Sequence, residues 1–163
     1  MGLIIKKSLK KLLAGYPTVS DKYGVQGGVL GGSTAAHYGD LLVYTGTQGE
    51  YAVAAAGAKA ADIAGIALAT NIKLVRQFPG GSNAENATFE VGEAINLCIN
   101  GYVAVPVALA GSTPAIAEGG QVYLDANGKL SDDTGATALT GWTFTGVYET
   151  TGSVTVAEIK FNI

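Results

Sequence analysis

The chain has 163 residues, a net charge of −3 and an apolar fraction of 48%, while charged residues make up only 14%. This length suits one compact domain, and so apolar a composition with so few charges excludes a disordered chain. Four lysines and no acid stand among the first 14 residues, so removing that +4 leaves −7 for the remainder. A body this acidic is unsuited to neutralising phosphates, and we predict no nucleic-acid partner.

The first predicted element is an amphipathic helix over residues 3–13, ended by Gly15 and Pro17. Its apolar face consists of Ile5, Leu9, Leu12 and Leu13. Its basic face consists of Lys6, Lys7, Lys10 and Lys11. A helix of this kind lies on a membrane, docks on a partner protein or packs on its own domain. We assign residues 1–17 to a basic N-terminal arm and 18–163 to the body, and the lysines interrupt the apolar run too often for a secretion signal.

The sequence of the body predicts short strands separated by turns. The runs predicted as strands are "DLLVYTG", "YAVAAAG", "IAGIALA", "IKLVRQF", "ATFEVG", "AINLCI", "YVAVPVAL", "QVYLD", "WTFTGVYE" and "VTVAEIKFNI". Their alternation and β-branched content predict an all-β fold, a single barrel or sandwich of antiparallel strands. No helical pattern separates them, which excludes a parallel α/β fold. In the last run the apolar residues change phase after Val156, which predicts a bulge near Ala157 and Glu158.

Two polar or glycine-rich stretches and one acidic loop interrupt these strands. We interpret "GVQGGVLGG" as flexible and "RQFPGGSNAENATF" as an exposed loop. The stretch "GQVYLDANGKLSDD" resembles a calcium loop, but its glycine comes too early and a lysine stands at a ligand position. Asn127 and Gly128 instead predict the two-residue type I′ turn of a hairpin. Val122, Leu124 and Leu130 would then face inward.

The chain offers little catalytic or metal-binding equipment. His37 is the single histidine and Cys98 the single cysteine, too few for a zinc site. We interpret His37 as an exposed turn residue rather than a member of a hydrolytic triad, and Cys98 as a buried apolar residue. We therefore expect no enzyme, no metal and no cofactor. The alternative function is a glycan- or host-binding module, which would use the exposed loop from Arg76 to Phe89 or a sugar-stacking platform of Trp142 and Tyr148.

The order of the body's strands resembles a known family. The residues that carry the resemblance are "YGDLLVYTG", "DIAGIALA", "FEVGEAINLCINGYVAVPVA", "GGQVYLDANGKLSD" and "GVYETTGSVTVAEIKFN", from Tyr38 to Ile163. They are similar to the structural cement, or head decoration, proteins of tailed bacteriophages, in which "G-E/D-x-hydrophobic... G-x-V" forms a hairpin. The arm departs from the family pattern as we recognise it, which begins nearer the first strand.

The resemblance implies a β-domain on the outside of the assembled capsid, made in the host cytoplasm and carried on the virion. Its partners would be the major capsid protein and further copies of itself, a homotrimer in preference to a dimer, with no membrane and no nucleic acid. We expect the arm to be the capsid-binding site. Its apolar residues would dock on a capsid subunit while its lysines face acidic capsid surface.

Overall fold

The computed structural model describes Leu12 and residues 14–18, 23–69 and 88–163. Within this part of the chain there are eleven strands and one turn of 3-10 helix at Ala60–Asp62. The strands are β1 (Tyr23–Leu30), β2 (Ala36–His37), β3 (Leu41–Tyr44), β4 (Glu50–Val53), β5 (Ile63–Ala67), β6 (Thr88–Phe89), β7 (Ala94–Val107), β8 (Glu118–Leu124), β9 (Leu130–Ser131), β10 (Thr137–Thr151) and β11 (Val154–Asn162). The all-β class is confirmed. The choice between barrel and sandwich and the division at residue 17 stay predictions.

Nine strands form one mixed sheet in the order β1-β4-β3-β5-β7-β11-β10-β8-β9, and β2 pairs with β6 separately. Because β1 also pairs with β7, the pairing runs around a ring of β1, β4, β3, β5 and β7. The other strands continue from β7, and a bridge between Ala108 and Ser131 brings β9 back to the end of β7. The 14-residue β7 is therefore common to both sets of strands.

Two hydrophobic clusters lie on opposite sides of β3 and β5. Leu41 and Ile66 belong to one cluster, whereas their neighbours Leu42 and Ala67 belong to the other. Every residue of β5 is consequently buried, which explains why its sequence is almost continuously apolar instead of alternating. The two strands thus act as a wall between the cores.

The glycine-rich stretch predicted to be flexible forms most of β1. It pairs with β7 from Tyr23 opposite Gly101 to Val29 opposite Ala94. The glycines supply space for neighbouring groups, since a Cβ at Gly28 would overlap the ring of Tyr51. The prediction was wrong because it took glycine as a sign of chain flexibility where close packing requires it.

The runs "AINLCI" and "YVAVPVAL", which the resemblance placed in a hairpin, form the single strand β7. Gly101, between them, pairs with Tyr23 of β1 on one edge and with Phe161 of β11 on the other. Pairing on both edges keeps the strand continuous through the glycine. The predicted strand "IKLVRQF" lies outside the described residues, as does the exposed loop except for Thr88 and Phe89.

The last strand keeps one phase throughout, contrary to the prediction. Thr155, Ala157, Ile159 and Phe161 are buried, while Val154 is 53% exposed. β11 also stays in register with β7 along its paired length. The irregularity belongs to β10, where three residues between Phe144 and Tyr148 stand opposite the single residue Glu158. The bulge is thus near the predicted level but on the partner strand.

The hairpin predicted at Asn127 and Gly128 is confirmed, with β8 and β9 paired antiparallel and Val122, Leu124 and Leu130 buried. Its turn is not type I′. Only glycines have positive φ among the described residues, so Gly128 (φ +78°) qualifies and Asn127 does not. Asp125 accepts the N–H groups of Asn127 and Lys129 at 2.9 and 2.7 Å, so its carboxylate serves the loop's own backbone.

Candidate functional site

The residues that follow the predicted helix, at the end of the arm, are attached to the body by backbone hydrogen bonds. Gly15 donates its N–H to the carbonyl of Ala104 at 2.8 Å, and Thr18 donates to that of Tyr102 at 3.1 Å. Ala104 in turn donates to the carbonyl of Tyr16 at 3.1 Å. This segment therefore continues the pairing of β1 along the same edge of β7, and the arm starts from a fixed point on the body.

Two glycines let the attached segment approach the turn before β3. Gly15 has φ +76°, and a Cβ there would lie 2.8 Å from both the carbonyl oxygen of Ala67 and the amide nitrogen of Gly39. Gly39 has φ +86°, and a Cβ there would lie 2.8 Å from Cδ of Pro106 and 2.9 Å from Cβ of Ala14. Neither position accepts a side chain without displacing backbone, so the arm's starting point is sterically defined.

A cleft of about 510 Å³ opens beside this segment. Its floor includes the row formed by Glu149 of β10, Val156 of β11 and Pro106 of β7, which stand opposite one another in register. This row lies on the face away from the core, and Val154 extends its apolar surface. Leu12 lines the cleft and donates its N–H to the Glu149 carboxylate at 3.1 Å. The end of the arm thus meets the outer face of the sheet here.

A cluster of charged side chains forms part of the cleft lining. Asp40 is only 7% exposed, and its Oδ2 accepts the backbone N–H of His37 at 2.8 Å. The Nδ1 of His37 lies 3.4 Å from the same oxygen, and the Nζ of Lys129 lies 3.6 Å from Oδ1. Asp40 therefore ties the β2–β3 turn to the β8–β9 loop. Among the described residues that line the cleft, the carboxylates are those of Asp40 and Glu149.

Of the predicted capsid-binding residues, the structure describes only Leu12. Leu12 has no helical assignment, and its N–H bonds to Glu149 of the body, so the predicted helix does not include it. The other predicted binding residues lie outside the described part of the chain. These are Ile5, Lys6, Lys7, Leu9, Lys10, Lys11 and Leu13.

His37 and Cys98 were considered above as possible catalytic or metal-binding residues. His37 is exposed, as predicted, and Cys98 is buried, with its thiol donating to the carbonyl of Asn100 at 3.1 Å. Among the described residues, no group of three His, Cys, Asp or Glu side chains is placed to hold a metal ion. A search of the same residues finds no helix long and apolar enough to span a membrane.

The two aromatic residues considered for sugar binding do not share a surface. Trp142 is 4% exposed and its ring lies 4.3 Å, centroid to centroid, from that of Phe161 in the core. Tyr148 is 44% exposed. A buried indole cannot stack on a sugar, so the proposed platform is wrong.

The sequence did not predict Glu149, Val154 and Val156 as site residues. The outward placement of Val154 and Val156 follows from the phase of β11, in which Thr155 and Ala157 face the core, and Glu149 of β10 stands opposite Val156. The prediction placed both the valines and the later Ile159 and Phe161 in the core and inserted a bulge between them, whereas Ile159 and Phe161 alone mark the true phase.

Comparison with known proteins supports the resemblance and extends it. A family model described as "Structural cement protein (E217 gp24/Pam3 gp6)" matches residues 5–162. The match begins at Ile5, the first residue of the arm's predicted apolar face, so the interpretation of the arm as a departure from the family was wrong. No curated protein sequence matches the chain.

Among solved structures, one from the capsid of Myoviridae phage XM1 contains a chain of the same fold. The two chains superpose with a TM-score of 0.66 at 16% identity, and the alignment covers 99% of this chain and 97% of the other. At this identity the likeness concerns the fold.

Proposed function

Since this chain belongs to the structural cement proteins of bacteriophages, we propose that it binds the outer surface of the assembled head and holds neighbouring major capsid proteins together. The observation that carries this proposal is the family match over residues 5–162, which takes in both the arm and the body. The likeness of fold to a chain from a phage capsid is consistent with it. The role is structural, and we propose that it involves no catalysis, cofactor, membrane or nucleic acid.

The physical mechanism is stabilisation by selective binding. A protein that binds only the assembled geometry stabilises that geometry by an amount that grows with its free concentration over its dissociation constant. We propose that the protein acts as a homotrimer, so that each assembly contacts several capsid subunits. The second and third contacts then form at high effective concentration, which tightens attachment beyond that of a single contact.

The arm is the proposed anchor. Its apolar residues, Ile5, Leu9, Leu12 and Leu13, would dock on a capsid subunit. Its lysines, Lys6, Lys7, Lys10 and Lys11, would face acidic capsid surface. The hydrogen bonds of Gly15 and Thr18 to β7 support this role, because an anchor transmits load only if its base is attached to the body.

Co-sedimentation with expanded, empty heads that lack the protein tests the proposal. We expect saturable binding by the full chain and loss of binding when Leu9 and Leu12 are both replaced by Asp. Val147→Asp is the matched control, because Val147 is 41% exposed on β10 and does not line the cleft. Binding retained by the double variant would refute the arm as anchor, and no binding by the full chain would refute the cement role.

A further inference from the structure

We propose that the cleft beside β10 and β11 is the docking site for this chain's own N-terminal arm in the free protein. Leu12 already lines this cleft, and its N–H is hydrogen-bonded to Glu149 at 3.1 Å. The 11 residues that precede it are therefore tethered at the cleft itself. Two further apolar residues of the arm, Ile5 and Leu9, would be stabilised by packing against an apolar surface.

The cleft offers apolar surface of the required kind. Val154 and Val156 point away from the core, and Val154 is 53% exposed although the strand that carries it is central in the sheet. Pro106 lies beside Val156 in register, so the apolar surface spans two strands. Of the described residues in the attached segment, Leu12 and Ala14 line this cleft.

Charge also matches the arm to the cleft. Four lysines lie within residues 6–11, and the carboxylates of Glu149 and Asp40 line the cleft. Asp40 is already positioned between His37 and Lys129, so Glu149 is the better placed of the two to meet an arm lysine. A carboxylate has several acceptor positions and can bind an ammonium while accepting the Leu12 N–H.

Tethering favours the arm of the same chain over that of a second copy. A segment joined to the cleft by a few residues is present there at an effective concentration in the millimolar range for short flexible links. The arm of a neighbouring copy would compete only if its concentration at the cleft exceeded this effective concentration. The docked arm would be unavailable to a capsid, so attachment to the head would require its release.

Limited trypsin digestion of the free protein tests this docking, because Lys6, Lys7, Lys10 and Lys11 are all trypsin sites. Cleavage tracks the population of released arm when docking is fast. We expect Val154→Asp and Glu149→Gln to raise the rate of cleavage within residues 6–11 about tenfold, which corresponds to ~1.4 kcal/mol. Val147→Asp, on the same hairpin outside the cleft, should leave the rate unchanged. Equal rates in the wild type and Val154→Asp would overturn the proposal.

Disulfide trapping separates the chain's own arm from that of a second copy. Ser153 lines the cleft and is exposed, and the buried Cys98 is inaccessible to the reaction. A chain with Leu9→Cys and Ser153→Cys should form an intrachain bond on mild oxidation and migrate as a monomer under denaturing, non-reducing conditions. The control is a chain with Leu9→Cys and Asn162→Cys, because Asn162 lies at the other end of β11. This control should form no intrachain bond. Crosslinked dimers, or no crosslink, would contradict docking within one chain.

Both experiments use the free protein, so their outcome is independent of the proposed function. If the arm also anchors to heads, Glu149→Gln should bind heads more tightly than the wild type, because the cost of releasing the arm is removed. If Glu149→Gln is digested faster but does not bind heads more tightly, the result would support docking of the arm in the cleft. The same result would count against the arm as the anchor to the head.

Discussion

Gly15 combines two requirements, a left-handed backbone and the absence of a side chain. Its φ is +76°, and an added Cβ would lie 2.8 Å from two backbone atoms of neighbouring segments. Gly46 shares the first requirement but not the second, because its φ is +90° and nothing lies within 4 Å of an added Cβ. The two positions therefore separate backbone strain from packing.

We expect Gly46→Ala to lower the free energy of unfolding by about 1 kcal/mol, the cost of left-handed backbone for an L-residue. Gly15→Ala should lower it by about 3 kcal/mol, since the backbone of Gly39 and Ala67 must also move. Denaturant titration of both variants measures the difference. Equal losses would mean that the arm's base is not tightly packed against the body.

Cys98 lies on β7, paired with Val25 of β1 and Ile66 of β5, and is fully buried. Burial raises the pKa of its thiol from 9.0 to about 11, because the thiolate is disfavoured away from water. Below pH 9 the thiol stays protonated in both the folded and the unfolded chain, so it adds no pH dependence. Between pH 9 and 11 the unfolded chain releases the proton while the folded protein retains it, which favours unfolding.

The free energy of unfolding should therefore fall more steeply between pH 9 and 11 in the wild type than in Cys98→Ala. Using the variant as reference removes the contributions of all other titratable groups. Denaturant titrations at several pH values provide the measurement. Parallel curves for the two proteins would show that the thiolate is tolerated in the folded state.

At the scale of elements, Asp132 joins the β8–β9 hairpin to the loop that follows β7. It is 4% exposed and accepts the N–H groups of Ala110 and Ala115 at 2.7 and 2.8 Å. Among the described residues, the carboxylate of its neighbour Asp133 accepts one N–H, the exposed one of Gly135 at 2.8 Å. The two adjacent acids thus differ in burial and in the number of N–H groups they satisfy.

Asp132→Ala should lower the free energy of unfolding by about 3 kcal/mol, because two N–H groups would lose a charged acceptor in a poorly hydrated site. Asp133→Ala should cost less than about 1 kcal/mol, since water can replace its carboxylate. Thermal unfolding of the two variants compares them directly. Similar costs would show that the 110–115 loop does not depend on Asp132.

The sequence predicted elements best where one side of a strand faces solvent or where the whole strand is buried. The apolar runs in the sequence correctly predicted β3, β5 and the β8–β9 hairpin. Alternation failed at β11, because small residues such as Thr155 and Ala157 occupy its core positions while Val154 faces outward. The glycines of β1 and Gly101 of β7 looked like breaks, since partners distant in sequence determine that those segments pair.

The candidate site was less predictable for a related reason. Its arm is continuous in sequence, and a helical period made it visible. The cleft draws Glu149, Val156 and Pro106 from three strands, and only their register brings these residues together. A single sequence carries no record of that register.

At the scale of the whole molecule, β7 connects the two sets of strands and also holds the base of the arm. Pro17 bridges Val103 on one edge of β7, while Ile159 of β11 pairs with Val103 on the other. Force applied to the arm therefore passes into a strand that is hydrogen-bonded on both sides. This arrangement suits a protein that links its neighbours through an anchor.

We propose above that the protein stabilises the assembled head. Calorimetry of expanded heads lacking the protein, alone and saturated with it, measures this most directly. We predict that the head's melting transition moves to higher temperature, by an amount that increases with free protein, and that Leu9→Asp with Leu12→Asp removes the shift. A transition that stays at the same temperature despite saturating binding would show that the bound protein does not stabilise the head.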